Sequence, residues 1–307
     1  MKWSLVACAL LLASGACSNA GDPQCRVGAD CASGACTAEG TCVPVSNDSG
    51  TNGADTTVED TRVAETEPPL DAPLGCTPND DDLITALELP FAAGLHATFR
   101  TTTNTTVDTA GTAGPDGHRT WDFSGALPGD HDVLVDTIAP SGQWWASQFP
   151  ASTYATSLTS TADLLGVFQV GPDALTLQGE VSSADGPTRT LLTNATPVPT
   201  LEFPLDPSSS WTTTTLVNGT TSGVPSSYTE AYDSKVDAAG QAVTPFGSFH
   251  VLRVATVLTR TVGVVPTVIR SFAFVTDCFG PVVAITSQAN ETEVEFTNAS
   301  EIRRLAP

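Results

Sequence analysis

From about residue 90 onward the chain consists of short runs of valine, isoleucine, threonine and phenylalanine, each closed by glycine or proline. Side chains of this kind suit a pleated, half-buried surface, and no other feature limits the fold so tightly. Thr120-Trp121-Asp122-Phe123 alternates, which places Trp121 and Phe123 on one face of a strand. His131–Val135 follows a Pro128-Gly129 turn, and Leu164–Val170, Leu175–Val181, Thr200–Phe203 and Trp211–Val217 extend the series. Tyr228–Tyr232, Ser248–Thr261, Thr267–Thr276, Pro281–Ser287 and Glu291–Thr297 complete it. Threonine makes up about 15% of the chain, a further bias away from helix. There is no fixed-period repeat and no run of βαβ units. Residues 76–307 are therefore predicted to form an all-β domain, mainly antiparallel, as a sandwich, barrel or half-barrel. Asp80–Leu89 opens this region as either a short helix capped by its aspartates or a loop.

The amino terminus reads as an address. Met1-Lys2 supplies positive charge, Leu5–Leu12 is a short apolar run, and Ala13, Ser14, Gly15 and Ala16 are small. This is the layout of a secretory signal peptide over residues 1–16, too short to span a bilayer. Leu12-Ala13-Ser14-Gly15-Ala16-Cys17 resembles a bacterial lipobox, with Ser14 standing where the pattern prefers leucine. The resemblance implies lipidation of Cys17 and a lipid anchor at the outer membrane or cell surface. The alternative is ordinary cleavage and a soluble secreted chain.

Of eight cysteines, Cys8 lies in the signal and Cys17 is the lipidation candidate, which leaves an even six. In an exported chain that number reads as disulfides. Cys25, Cys31, Cys36 and Cys42 follow C-x5-C-x4-C-x5-C in a stretch with few apolar side chains, so cross-links must supply its order. Three pairings exist; Cys25–Cys36 with Cys31–Cys42 is the favoured one. Residues 17–42 thus form a small disulfide-knotted module, similar to Cys-rich modules that follow the anchor in bacterial surface proteins. Zinc is the alternative, but the stretch lacks C-x2-C spacing and a nearby histidine. Cys76 and Cys278 remain for each other. In the loop-entropy description, closing about 200 residues is worth on the order of 5 kcal/mol.

Residues 43–75 contain no aromatic residue and are dominated by Gly, Pro, Thr, Asp and Glu. They are predicted to be a disordered acidic linker, with ends about 30 Å apart as a flexible coil. The whole chain carries 34 acidic and 12 basic side chains, a net charge of -22. That balance argues against nucleic acid as a partner, because a phosphate backbone needs clustered Lys and Arg.

Two stretches carry a resemblance. Gly114-Pro115-Asp116-Gly117-His118-Arg119-Thr120-Trp121-Asp122-Phe123-Ser124 is similar to a T-W-D-F-S motif of a family of exported bacterial β-domains. Tyr232–Gly240, Thr244–Phe249 and Val251-Leu252-Arg253-Val254 resemble that family's D-G-x-G, P-x-G-T-F and V-L-R-V segments, with Ala239 and Ser248 as departures. The match covers roughly residues 90–290. It implies export and a β-fold and supplies no activity. The P-x-G-T-F segment is also similar to half-barrel lipoproteins of the lipoprotein-carrier type. In physical terms these motifs read as turns and strand starts.

Chemistry is sparse. Neither H-E-x-x-H, nor G-x-S-x-G, nor a Walker loop, nor G-x-G-x-x-G is present. Asp130-His131-Asp132 is the densest titratable cluster, but on a strand its carboxylates face away from the imidazole. Asn79-Asp80-Asp81-Asp82 lacks the ligand spacing of a calcium loop. No catalytic residue, metal site or cofactor is assigned. Trp144 and Trp145 form a candidate ligand platform, for a glycan among other surface ligands, with Tyr154, Trp211, Tyr228 and Tyr232 as extensions. Alternatively one ring fills the core and the other covers a sheet edge. The function expected is a surface-anchored lipoprotein whose non-catalytic β-domain serves as a binding or envelope-structural module. The alternatives are a half-barrel carrier of a lipid or other apolar ligand, and an extracellular polymer hydrolase using Asp and Glu.

Overall fold

The computed structural model describes residues 76–307. The signal peptide, Cys17, the module with Cys25, Cys31, Cys36 and Cys42, and the linker 43–75 lie outside the described residues. The alternating β-branched runs become fourteen strands: β1 (His96–Thr106), β2 (Thr112–Ala113), β3 (Arg119–Asp122), β4 (His131–Asp136), β5 (Tyr154–Ser157), β6 (Leu165–Val170), β7 (Ala174–Val181), β8 (Leu191–Glu202), β9 (Ser210–Thr221), β10 (Val224–Val243), β11 (Ser248–Val262), β12 (Val265–Thr276), β13 (Gly280–Ser287) and β14 (Asn298–Leu305). Burial along β7 alternates residue by residue, as a strand with one face on a core requires.

One sheet contains them all. From β5 to β14 each strand pairs antiparallel with the next, and β1 is inserted between β14 and β4. The two ends of the series then meet. Ile138, just past β4, exchanges backbone hydrogen bonds of 2.7 and 2.9 Å with Ala155 of β5. The Thr156 hydroxyl adds a bond of 2.9 Å to the Asp136 carbonyl. The sheet is thus rolled into a nearly closed, barrel-shaped wall, which leaves little free edge.

Both faces of the wall are packed. On β11, Leu252 and Val254 join one core with Trp211, Val236, Phe168 and Leu201. Val251 joins another with Trp121, Phe123, Phe272 and Phe274. β3 and the segments on either side of it supply Val107, Trp121 and Phe123 to this second core. β3 lies parallel to β10, with Trp121 opposite Ala242 and Arg119 opposite Gly240. The two stretches that carry the family resemblance are therefore hydrogen-bonding partners. Gly240 explains how: it sits at φ +152°, and a Cβ there would lie 1.9 Å from the Arg119 carbonyl oxygen. Only glycine lets β3 approach so closely.

Arg253, from the V-L-R-V segment, is the rivet of this layer. It pairs with Asp237 at 2.8 Å and Glu295 at 2.7 Å and donates to the Thr109 carbonyl. Its guanidinium lies over the Trp121 and Phe272 rings, at 5.4 and 4.2 Å. Glu295 also explains a correction. Glu291–Thr297 is a loop, not a strand, because the Glu291 carboxylate accepts the backbone N–H groups of Thr292 and Glu293 while Glu295 turns to Arg253.

Residues 76–95 lie along the barrel. Cys76 and Cys278 are joined with their Cα atoms 5.5 Å apart. Ile84 bridges Leu205, and Ile84 and Leu89 are buried. The helix-or-loop choice resolves as a single 3-10 turn, Ala86–Glu88, whose Glu88 carboxylate accepts from the backbone and hydroxyl of Thr85.

Candidate functional site

Alternation on curled strands leaves a space between the walls. A cavity of about 690 Å³ is lined by Tyr154, Phe168, Leu175 and Leu201 from β5–β8, by Ala273 and Ala284 from β12 and β13, and by Phe99 and Leu305 from β1 and β14. Strands far apart in the sheet order face the same space, which only a rolled sheet permits. Small side chains at Ala273 and Ala284 help to leave it open, and Phe91 and Phe279 contribute from the flanking segments. The size falls within the range of small-molecule pockets, and the walls are predominantly apolar. Phe91 and Phe168 stack on either side of Tyr154, at 6.4 and 5.4 Å, and burial pushes the Tyr154 hydroxyl pKa upward.

Arg303 is the one arginine among the residues that line this cavity. Its Nε donates to Glu301 Oε1 at 2.6 Å and its Nη1 to the Ser157 carbonyl at 3.1 Å. The second Glu301 oxygen accepts the Ser160 amide at 2.9 Å and the Ser160 hydroxyl at 2.6 Å. Burial raises the Glu301 pKa, but the Ser160 hydrogen bonds and the Arg303 charge outweigh it and hold the carboxyl below its usual range. Arg303 Nη2 is cut off from solvent and has no hydrogen-bond partner among the described residues.

A carboxylate–imidazole cluster ties residues 76–95 to the barrel. The two oxygens of Asp82 face two rings, His250 Nε2 at 2.7 Å and His118 Nε2 at 3.1 Å. Asp116 lies 3.4 Å from the other nitrogen of His118. The Asp82 hydrogen bond raises the His118 pKa. Burial opposes ionisation of Asp82, yet the two histidines leave its pKa lowered. Sequence reading missed this cluster, because its members are 36 and 168 residues apart. Among the described residues no group of three or more His, Cys, Asp or Glu could hold a metal ion.

A second cluster missed in the sequence joins strands β7, β10 and β11. Glu230 is buried and accepts from Arg260 at 2.7 Å and from the Tyr232 hydroxyl at 2.6 Å. Burial first, then the charge of Glu230, raises the Glu180 pKa, and Arg260 offsets this in part. Arg260 also lies 4.9 Å over the Tyr228 ring, and burial pushes Tyr228 up to about 12.

The residues singled out from the sequence fall mostly into architecture. Trp145 is completely buried against Phe149, Val167 and Val181, so it presents no ring to a ligand and fills the core, as the alternative reading of the pair expects. Trp144 is half-buried, donates to the Ser182 carbonyl at 3.2 Å and is covered by Arg189 at 5.1 Å. Trp211 is buried and bonded to the Pro199 carbonyl. Asp130 accepts the Leu127 amide, the Thr102 hydroxyl and Arg304, while Asp132 pairs with Arg100 at the surface. The two carboxylates of Asp130-His131-Asp132 thus bind separate partners along β1 and β14. Among the described residues no helix is long and apolar enough to cross a membrane. Compared with protein-family models, curated proteins and solved structures, the chain matches none.

Proposed function

We propose that this is an exported, lipid-anchored binding protein whose β-barrel carries an apolar small molecule. The observation that carries the proposal is the cavity of about 690 Å³ walled by Phe, Leu, Ala and Tyr inside a rolled sheet. Water held against such walls gains little, whereas an apolar guest removes its own surface and theirs from water. Of the readings drawn from the sequence, a carrier is the one that requires such a space; a purely structural module would fill it. Cys17 is the anchor in this proposal, and residues 43–75 set the barrel off the outer membrane or cell surface.

The test is to purify the chain from its native compartment, extract it with organic solvent and identify what is released by mass spectrometry. The expected result is a stoichiometric apolar compound, absent from an Ala284→Phe variant that folds normally. Recovery of no compound, together with no uptake of apolar dyes by the purified protein, would falsify the proposal.

A further inference from the structure

The cavity is open to solvent, and what lies against its opening can be argued from the rim, a step that rests on the carrier reading above. Phe246 from the β10–β11 turn and Cys278 and Phe279 from the β12–β13 turn line it at one end of the barrel, together with Phe91 and Leu95 of the segment 76–95. The three phenylalanines are only half-buried, and Leu95 is 41% exposed. Leu87, on the 3-10 turn, is 98% exposed. Its neighbour Glu88 accepts the Cys278 amide at 2.8 Å, which puts the turn beside the same rim. Leucine left wholly in water next to an apolar opening marks a contact surface. Among the described residues no aspartate or glutamate lines the cavity, in a chain whose net charge is -22.

The point at which the chain enters the barrel decides what this rim meets. Cys76 is cross-linked to Cys278, itself a lining residue, so the stretch that leads from Cys17 arrives at the same end as the opening. With Cys17 as the anchor, a bilayer is the apolar surface tethered to that end. A bilayer is fluid and needs no matching shape, and binding to it grows with the apolar area buried. It also dissolves an apolar guest that water excludes. We propose that the rim bearing Leu87 and Leu95 seats reversibly on a lipid bilayer, and that the guest passes between bilayer and cavity without crossing water. The contact is apolar, not ionic: the Arg303 charge is balanced by Glu301 at 2.6 Å, and exposed Asp80 and Asp81 in the segment 76–95 repel anionic headgroups.

The experiment uses the full chain, produced without a lipid on Cys17 so that the anchor does not itself hold it at a membrane. The chain is loaded with an apolar fluorescent dye and mixed with phosphatidylcholine vesicles. The expected transfer rate rises in proportion to vesicle concentration and does not increase when phosphatidylglycerol is added to the vesicles. Leu87→Asp should slow transfer by about tenfold, the scale of one leucine side chain withdrawn from apolar contact, with dye affinity in vesicle-free solution unchanged. Val264 serves as the control: it is 92% exposed on the β11–β12 turn, at the other end of the barrel, and Val264→Asp should transfer at the native rate. A rate independent of vesicle concentration would mean release into water and overturn the inference. Native transfer by Leu87→Asp, slow transfer by Val264→Asp, or a faster rate with phosphatidylglycerol would overturn it as well. So would a dimer of the native chain that Leu87→Asp dissolves, since the rim would then belong to a second copy. A native chain that binds no dye in solution would instead sink the carrier reading itself. The dependence on vesicle concentration is read on the native chain and stands even where a variant fails to fold.

Discussion

At the scale of single residues, two side chains separate architecture from recognition. Trp145 is enclosed on every side, so Trp145→Ala opens a hole and is expected to cost about 3–5 kcal/mol in urea unfolding. Trp144→Ala, which removes one half-buried ring, is expected to cost about 1 kcal/mol or less. Equal losses would contradict the burial difference. Arg253 is the second case. Arg253→Met would leave Asp237 and Glu295 facing each other without their cation, and a loss of about 3–5 kcal/mol is expected. A variant as stable as the native chain would show that apolar packing of the side chain against Trp121 and Phe272 suffices without the guanidinium. Both residues stand in plain view in the sequence. What the text could not give is direction: the adjacent tryptophans were readable as a platform because burial depends on which strand lies behind them.

At the scale of elements, most strand positions from β3 to β13 were legible, since β-branched alternation is a local property, but β5 was not read and β10 was read only over Tyr228–Tyr232. β8 was seen only at its end, because Pro197 and Pro199 interrupt the pattern, and β1 was missed because its threonine and asparagine run lacks apolar alternation. Glu291–Thr297 had the composition of a strand, but its glutamates found backbone and arginine partners instead. The pairing of Cys76 with Cys278 followed from arithmetic; the meeting of Asp82 with His118 and His250 did not, since nothing local marks contacts made through tertiary folding. That meeting predicts a pH response of the segment 76–95. The His118 pKa is raised in the fold, so its contribution is complete below the ordinary value of 6.5 and is lost as pH rises through the raised one. The Asp82 pKa is lowered, so its share holds above 3.8 and is lost as pH falls through the depressed value. Protection of the Ile84 amide against hydrogen exchange, corrected for intrinsic rates, should be greater at pH 5.5 than at pH 8, and His118→Gln should flatten the difference. Equal protection at the two values in the native chain would remove the tether from the account.

At the scale of the whole molecule, the all-β architecture was readable but the hollow was not. Volume left between walls depends on which residues face each other across the barrel, and Leu201 of β8 and Ala284 of β13 come to share that space only after the sheet has rolled. A filled cavity should also act as a stabiliser. At a free ligand concentration one hundred times Kd, the folded state gains about 2.7 kcal/mol. For a domain of this size that corresponds to a rise of about 5–10 °C in Tm, to be checked by calorimetry before and after solvent extraction. A Tm indifferent to extraction would place the released compound somewhere other than the interior. The position of β14 carries a further consequence. It holds β13 on one side and β1 on the other, so the wall has no route around it. A chain cut after Thr297 would keep nearly every other pairing yet present two raw margins instead of a seam. Such a molecule should self-associate, and closure of the native wall depends on β14 taking its place between β13 and β1.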